Sequence, residues 1–359
     1  MEYCRTEGWP TRSKVAGVRK IAILDDYIGV ALEYGDWAAL PEDAEITVYR
    51  EAIAPERLAD ELSGYEIVVI TQQRARFPRA VLEALPDLKL IVCNGRTSNV
   101  IDHQARIERG ILLCGTSDTS PGATASPSPY ETGRGLPAPS EMAWALTFAV
   151  AKRTGIEDRV IRGGGWQTGF PATLAGKTLG LLGAGRLGGA MVPVARALGM
   201  DVVAWSPNLT QERCAELGIT KATKGALLSS ADVLGVFLVF SERSRNTLRA
   251  ADFAQMKPGA ILVNISRGPI VEEAALIAAL RSGPLAGAGL DVFDREPLPA
   301  DHPFRSLDNV VVTPHTGYVT EQGFRAAWPR MAEDVAAYLA GSPIRVVSDP
   351  ADCPPMAPQ

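Results

Sequence analysis

The chain has 359 residues, more than one hydrophobic core usually spans, so two domains are expected. Hydrophobic residues at 46% and charged residues at 21% are ordinary for a globular protein, and a net charge of −5 argues against a nucleic-acid or anionic-membrane surface. Five cysteines (Cys4, Cys93, Cys114, Cys214 and Cys353) lack CxxC spacing, which speaks against a zinc site or a disulfide framework and for reduced thiols in a cytoplasmic protein. No apolar run is long enough to cross a bilayer.

Residues 1–20 lack the apolar core of a signal peptide and read as an extension before the first strand. From there short apolar runs alternate with helical patterns. The first strand candidates are KIAILD (20–25), EITVYR (45–50), EIVVI (66–70), LKLIVC (88–93) and ILLC (111–114). Between them PERLADEL and PRAVLEAL carry leucines at helical spacing. Residues 118–139, with five prolines and three glycines, show no apolar periodicity and read as a loop. The long helical segment beginning SEMAWALTF leads into a second set of strands: TLGLLG (178–183), DVVAW (201–205), VLGVFLVF (233–240), AILVN (260–264), AGAGLDVF (286–293) and NVVVTP (309–314). Continuously apolar strands alternating with helices predict an α/β fold of two Rossmann-like, doubly wound parallel sheets covered on both faces.

Gly183, Gly185 and Gly188 form GxGxxG between a predicted strand and a predicted helix. The first glycine permits the tight turn, the second lets a pyrophosphate approach the backbone, and the third lets helix and strand pack closely. The loop residues Gly183, Gly185, Arg186, Leu187 and Gly188 are therefore candidate dinucleotide contacts. The next strand ends in Ser206-Pro207-Asn208, where a ribose-binding carboxylate usually stands. Ser206 and Asn208 can hydrogen-bond a ribose hydroxyl without repelling a 2′-phosphate, so the expectation is NAD, with NADP accepted. Arg213, a helical turn further on, reads as a solvated helix residue.

Four polar residues then fall just beyond three predicted strand ends: Arg267 after AILVN, Asp291 and Glu296 after AGAGL, and His315 after NVVVTP. Ligands bind at that edge of an open α/β sheet. Arg267 can hold a carboxylate and a neighbouring carbonyl oxygen with its planar fork. His315 can take a proton from a hydroxyl, or return it to a carbonyl, with Glu296 orienting the ring and favouring its charged form. This is the equipment for hydride exchange between a 2-hydroxy acid and a 2-keto acid. Taken singly, Arg267 is a loop arginine, Glu296 a turn residue and His315 a strand-end residue; their convergence carries the reading. The other histidines, His103 and His302, read as helix-face and loop residues.

Together, LPDLKLIVCNGRTSNVID, LAGKTLGLLGAGRLG, MKPGAILVNISRGPIVEEAAL, AGAGLDVFDREPLPADHPF and NVVVTPHTGYVT resemble the NAD-dependent D-2-hydroxyacid dehydrogenase family over most of residues 60–345. The resemblance implies a discontinuous substrate domain (21–140 plus 316–359), a dinucleotide domain (141–315), and an active site in the cleft between them. It places Arg267, Glu296 and His315 on the family's catalytic positions and Asp291 and Gly317 at the nicotinamide end. Gly95 and Arg96 fall in the loop that holds the substrate carboxylate. It also implies a homodimer acting on a small 2-hydroxy or 2-keto acid. Departures are the missing carboxylate at Ser206, Phe237 where many relatives carry histidine, NGRTSN in the carboxylate loop, and the long proline-rich loop. Arg74, Arg76 and Arg96, in first-domain loops, are either solvated or placed to meet a phosphate or second carboxylate. The alternatives to a 2-hydroxyacid dehydrogenase are a dinucleotide-binding corepressor or scaffold on the same fold, and a relative acting on formate or phosphite.

Overall fold

The structure is a computed structural model that describes residues 17–71, 74–95, 98–116, 135–347 and 356. The chain forms two units, one from both ends (to residue 130 and from 321) and one from residues 131–320.

The first unit carries five parallel strands, β1 Arg19–Leu24, β2 Ala44–Val48, β3 Ile67–Ile70, β4 Leu90–Cys93 and β5 Leu112–Gly115, in the order β2-β1-β3-β4-β5. All five coincide with the apolar runs read from the sequence to within two residues. β1, β3 and β4 are apolar without alternation because both faces are covered. Ala22, Leu24, Val68, Ile70, Ile91 and Cys93 join one core cluster, while Ile21, Ile23, Ile67, Val69, Leu90 and Val92 are equally buried on the other face. Helix Glu321–Leu339 packs against β4 and β5. Its buried Phe324, Trp328, Met331, Ala332 and Val335 recur at the three- and four-residue spacing of one helical stripe. The order reverses direction between β1 and β3, so the sheet's switch point lies there.

The second unit carries seven parallel strands in the order β12-β11-β10-β9-β6-β7-β8. They are β6 Thr178–Leu182, β7 Asp201–Trp205, β8 Thr220–Lys221, β9 Val233–Val236, β10 Ala260–Asn264, β11 Leu285–Leu290 and β12 Val310–Val312. The switch point falls between β6 and β9, as in a doubly wound dinucleotide-binding sheet. Alternate residues of one strand serve opposite cores: Ala260 and Leu262 of β10 pack on one face, Ile261 and Val263 on the other. Two adjustments to the sequence reading follow. The run 233–240 is strand only to Val236. The two-residue β8 edge strand has too little apolar content to read in advance.

Cys93, Cys114 and Cys214 are buried. Among the described residues no helix is long and apolar enough to cross a membrane. None of the described His, Cys, Asp and Glu side chains gather as a metal site.

Candidate active site

The glycine loop joins β6 to helix Arg186–Ala197. Each glycine there has a separate physical reason. Gly183 has φ +104°, and a Cβ on it would come within 2.9 Å of the Phe237 carbonyl carbon. A Cβ on Gly188 would lie 2.0 Å from the Gly183 carbonyl oxygen, so helix and strand could not close. Around Gly185 a Cβ would meet nothing within 4 Å, so the backbone is open to approach at the helix N-terminus. Arg186 and Leu187 open the helix; the Leu187 carbonyl accepts from the Ser140 hydroxyl at 3.0 Å. Phe237 packs over this turn from β9, its amide donating to the Leu182 carbonyl at 2.9 Å.

Ser206 stands half-buried at the β7 tip, with Asn208 exposed beyond it. The Leu209 N–H donates to the Ser206 carbonyl at 3.2 Å, folding this tip into a turn. Thr210 then caps helix Gln211–Leu217. Arg213 differs from the sequence reading. It is not merely a solvated helix residue, since its Nε reaches the Ala184 carbonyl in the glycine loop at 3.4 Å while Nη1 pairs with Glu216 at 2.9 Å.

The polar cluster lies beyond β10, β11 and β12. After β10, Asn264 is buried and acts as a clasp: its amide donates to the Arg267 carbonyl (3.0 Å) and its oxygen accepts from the Ser266 N–H (3.0 Å). The Ser266 hydroxyl donates to the Leu238 carbonyl, tying the loop to the neighbouring strand end. Gly268 follows because a Cβ would sit 2.1 Å from the Phe293 carbonyl carbon. That close approach brings the Arg267 loop against the loop after β11. Burial pulls the Arg267 pKa down, and the nearby negative charge of Glu296 opposes it, an arrangement only neighbouring groups produce.

Asp291, at the end of β11, is buried and fully used. Its Oδ1 accepts from the Thr313 hydroxyl (2.6 Å) and the Thr316 N–H (2.8 Å), and its Oδ2 from the Gly317 N–H (2.8 Å). The structure thus gives Asp291 an organising task, holding the loop that carries His315. Gly317 is required because a Cβ would lie 2.9 Å from Asp291 Oδ2. Within that loop His315 has φ +55°, a left-handed backbone that a non-glycine residue adopts only when its surroundings impose it. Its Nδ1 lies 2.6 Å from Glu296 Oε2, and Glu296 Oε1 accepts from the Phe293 N–H at 3.0 Å. Both side chains are largely buried, and the Tyr318 ring meets the imidazole edge-on at 5.6 Å. The Nδ1–carboxylate contact leaves Nε2 as the nitrogen for proton exchange.

Arg267, Glu296 and His315 are therefore together in the second unit, with Asp291 and Gly317 forming the support. Asn264, Ser266, Gly268, Thr313 and Tyr318 belong to this site and were not singled out from the sequence. Only the tight NISRGP and TPHTGY spacing hinted that neighbours of the charged residues had work to do. Gly95 lies in the first unit after β4 with φ +104°, and its N–H donates to the Thr116 hydroxyl at 2.8 Å. Arg96 lies outside the described residues, as does most of the proline-rich loop. His103 is a buried helix residue hydrogen-bonded to the Ser98 carbonyl, and His302 pairs with Glu273.

Residues 144–317 match the family model of the D-isomer specific 2-hydroxyacid dehydrogenase NAD binding domain. The chain is 32% identical to a D-3-phosphoglycerate dehydrogenase of Archaeoglobus fulgidus over 82% of its own length and 54% of that protein, so it spans about half of that relative. It is also 32% identical to a glyoxylate reductase of Aeropyrum pernix, over 73% of this chain and 76% of that one. A solved phosphoglycerate oxidoreductase of Vibrio cholerae o395 superposes with TM-score 0.79 at 29% identity, covering 90% of this chain and 99% of the other.

Proposed function

The chain belongs to the D-isomer specific 2-hydroxyacid dehydrogenase family, and from that premise we propose that it interconverts a D-2-hydroxy acid and a 2-keto acid with a nicotinamide dinucleotide. The observation that carries this reading is the His315–Glu296 pair at 2.6 Å, with Arg267 buried beside Glu296. The open backbone at Gly185 and the two tightly packed glycines fit a pyrophosphate at the helix N-terminus. When bound, the reduced dinucleotide supplies the hydride to the carbonyl carbon. Arg267 holds the substrate carboxylate and polarises the adjacent carbonyl through its guanidinium N–H groups. His315 gives the Nε2 proton to the carbonyl oxygen as it becomes hydroxyl, and Glu296 compensates the imidazolium before transfer. In the oxidative direction His315 takes the hydroxyl proton back. Gly95 and Arg96 are assigned to the substrate carboxylate on the family resemblance.

Ser206 places no negative charge at the adenosine ribose, and Arg213 stands beside the glycine loop, so both NAD and NADP are accepted. The exposed Trp166 and Phe170 of the second unit support a homodimer, to be read by light scattering. The protein acts in the cytoplasm, where its buried thiols stay reduced.

The test is loss of reduced-nicotinamide absorbance with glyoxylate, hydroxypyruvate, pyruvate and phenylpyruvate. Turnover of at least one is expected. Tight cofactor binding without turnover of any 2-keto acid points instead to the scaffold or corepressor reading, and turnover of formate or phosphite with NAD to the third.

A further inference from the structure

The hydrogen bond to Glu296 holds the His315 imidazole at one corner. Nδ1 lies 2.6 Å from Glu296 Oε2, and a carboxylate oxygen accepts over a broad range of directions. The torsion that turns an imidazole about its bond to Cβ is broad as well. A contact at Nδ1 therefore fixes that corner and leaves the plane of the ring free to swing. Proton transfer needs the plane fixed, because Nε2 donates within it.

Tyr318 supplies the second constraint. Its ring stands 5.6 Å from the imidazole and at 89° to it, the edge-to-face arrangement that is lost when either ring turns. The backbone carrying it is wound tightly. Thr316 and Gly317 each donate an N–H to Asp291 at 2.8 Å. The Val319 N–H donates to the Thr316 carbonyl at 2.9 Å, and the Thr320 N–H to the Tyr318 carbonyl at 3.1 Å. His315 and Tyr318 thus ride on one short turn pinned to one buried aspartate. Packing of the fold does not account for the tyrosine. It is half-buried and joins none of the three apolar cores formed by the described residues.

The same side chain reaches towards the carboxylate anchor. Burial lowers the Arg267 pKa, and the influences opposing it are Glu296 first and the Tyr318 phenol second. The phenol oxygen is therefore within electrostatic reach of the guanidinium while the ring borders the imidazole.

We propose that Tyr318 is a positioning residue, whose ring sets the plane of the His315 imidazole so that Nε2 faces a carbonyl held by Arg267. Its effect on rate rests on the dehydrogenase reading; the ordering of the ring does not.

Tyr318→Leu and Tyr318→Phe separate the ring from the hydroxyl. The substrate is glyoxylate, a 2-keto acid with no side chain, so a tyrosine serving only as a pocket wall would have nothing to touch. The leucine variant should lose about 10- to 100-fold in kcat, the cost of a misplaced reacting group. Its KM and dinucleotide affinity should stay within about threefold of wild type, and phenylalanine should restore kcat to within about threefold. A folded leucine variant with wild-type kcat, a loss carried by KM, or a phenylalanine variant as damaged as the leucine one overturns the proposal.

A second measurement needs no turnover. The chain has three histidines, so carbon-13 labelling of the imidazoles gives three ring signals, and the one lost in His315→Ala is that of His315. Relaxation of its Cε1–H group should report an ordered ring in wild type and Tyr318→Phe, and a mobile one in Tyr318→Leu. An equally ordered ring in the leucine variant overturns the proposal. If wild type reduces no 2-keto acid and the ring still loosens in Tyr318→Leu, the dehydrogenase reading falls and the role of Tyr318 stands. If reduction proceeds while kcat and ring order are unchanged in Tyr318→Leu, the Tyr318 proposal falls alone.

Discussion

The carboxyl-end edges of the two sheets invite comparison, because the same topological rule governs both and they are built from different material. In the second unit the working edge is largely backbone. Gly183, Gly185 and Gly188 remove side chains so that main-chain N–H groups can face phosphates, and Arg267, Glu296 and His315 gather beyond β10, β11 and β12. In the first unit the edge is made of side chains, with Asp25, Tyr27 and Arg74 at the switch point. Backbone sites recognise what every dinucleotide has in common. Substitutions in the second unit should therefore weaken the reaction with every 2-keto acid alike.

The largest effect should come from the proton-transfer pair. His315→Ala is expected to lower kcat by about 10²- to 10⁴-fold with every 2-keto acid, with dinucleotide affinity retained by fluorescence titration. Glu296→Gln should fall in the same direction by less, since the amide can still orient the ring but cannot balance its charge. If His315→Ala turns over near the wild-type rate, the acid–base assignment is wrong. Next comes Arg267→Lys. It keeps the positive charge and loses the planar fork, so kcat/KM for all 2-keto acids should drop about 10- to 100-fold, much of it in KM. A variant indistinguishable from wild type would show that the carboxylate is held elsewhere.

A smaller effect separates the two cofactors. Ser206→Asp restores a carboxylate at the β7 tip. It should lower kcat/KM with NADPH about tenfold relative to NADH, by repulsion at a partly solvated site. If wild type already excludes NADPH, selection lies outside this tip, and Ser206 and Arg213 do not set it.

Much of this was legible before the fold was seen, for identifiable reasons. Strands buried on both faces write themselves as apolar runs, so β10 falls where the sequence puts it to the residue. Arg267, Glu296 and His315 were visible because each follows such a run. What was not legible depends on contacts between loops distant in sequence. The three hydrogen bonds from the 313–317 loop to Asp291 span more than twenty residues. The reach of Arg213 to Ala184 spans 29, and no periodicity reports a single arginine crossing that gap. Asp25 is a sharper case. Asp25 and Asp26 are adjacent and chemically identical, and only the fold shows that Asp26 caps a turn with three backbone N–H groups while Asp25 takes a left-handed backbone beside Tyr27.

The last expected effect lies in the first unit and concerns stability rather than rate. Asp334, on helix Glu321–Leu339, is wholly buried and accepts from Arg345 Nε at 2.9 Å. Arg345 also pairs with Glu333, and Val346 beyond it bridges to Cys114 of β5. Burial pushes the Asp334 pKa up to about 7, against the pull of the Arg345 and Arg330 charges and with Glu333 adding to the rise. A carboxyl whose pKa is higher folded than unfolded holds its proton longer in the folded state. Its contribution to stability is therefore complete below the ordinary carboxylate range and is lost as pH rises to about 7. Asp334→Asn removes that titration, since the amide stays neutral throughout. Relative to wild type the variant should gain stability as pH rises from about 4 to about 7, by up to about 1.4 kcal/mol per pH unit in that window, and run parallel above it. Urea denaturation of both proteins across that window measures the difference directly, with groups common to the two cancelling. A constant gap would mean that Arg345 keeps Asp334 ionised in the folded state, and that the helix is fastened by an ion pair from acid to neutral pH.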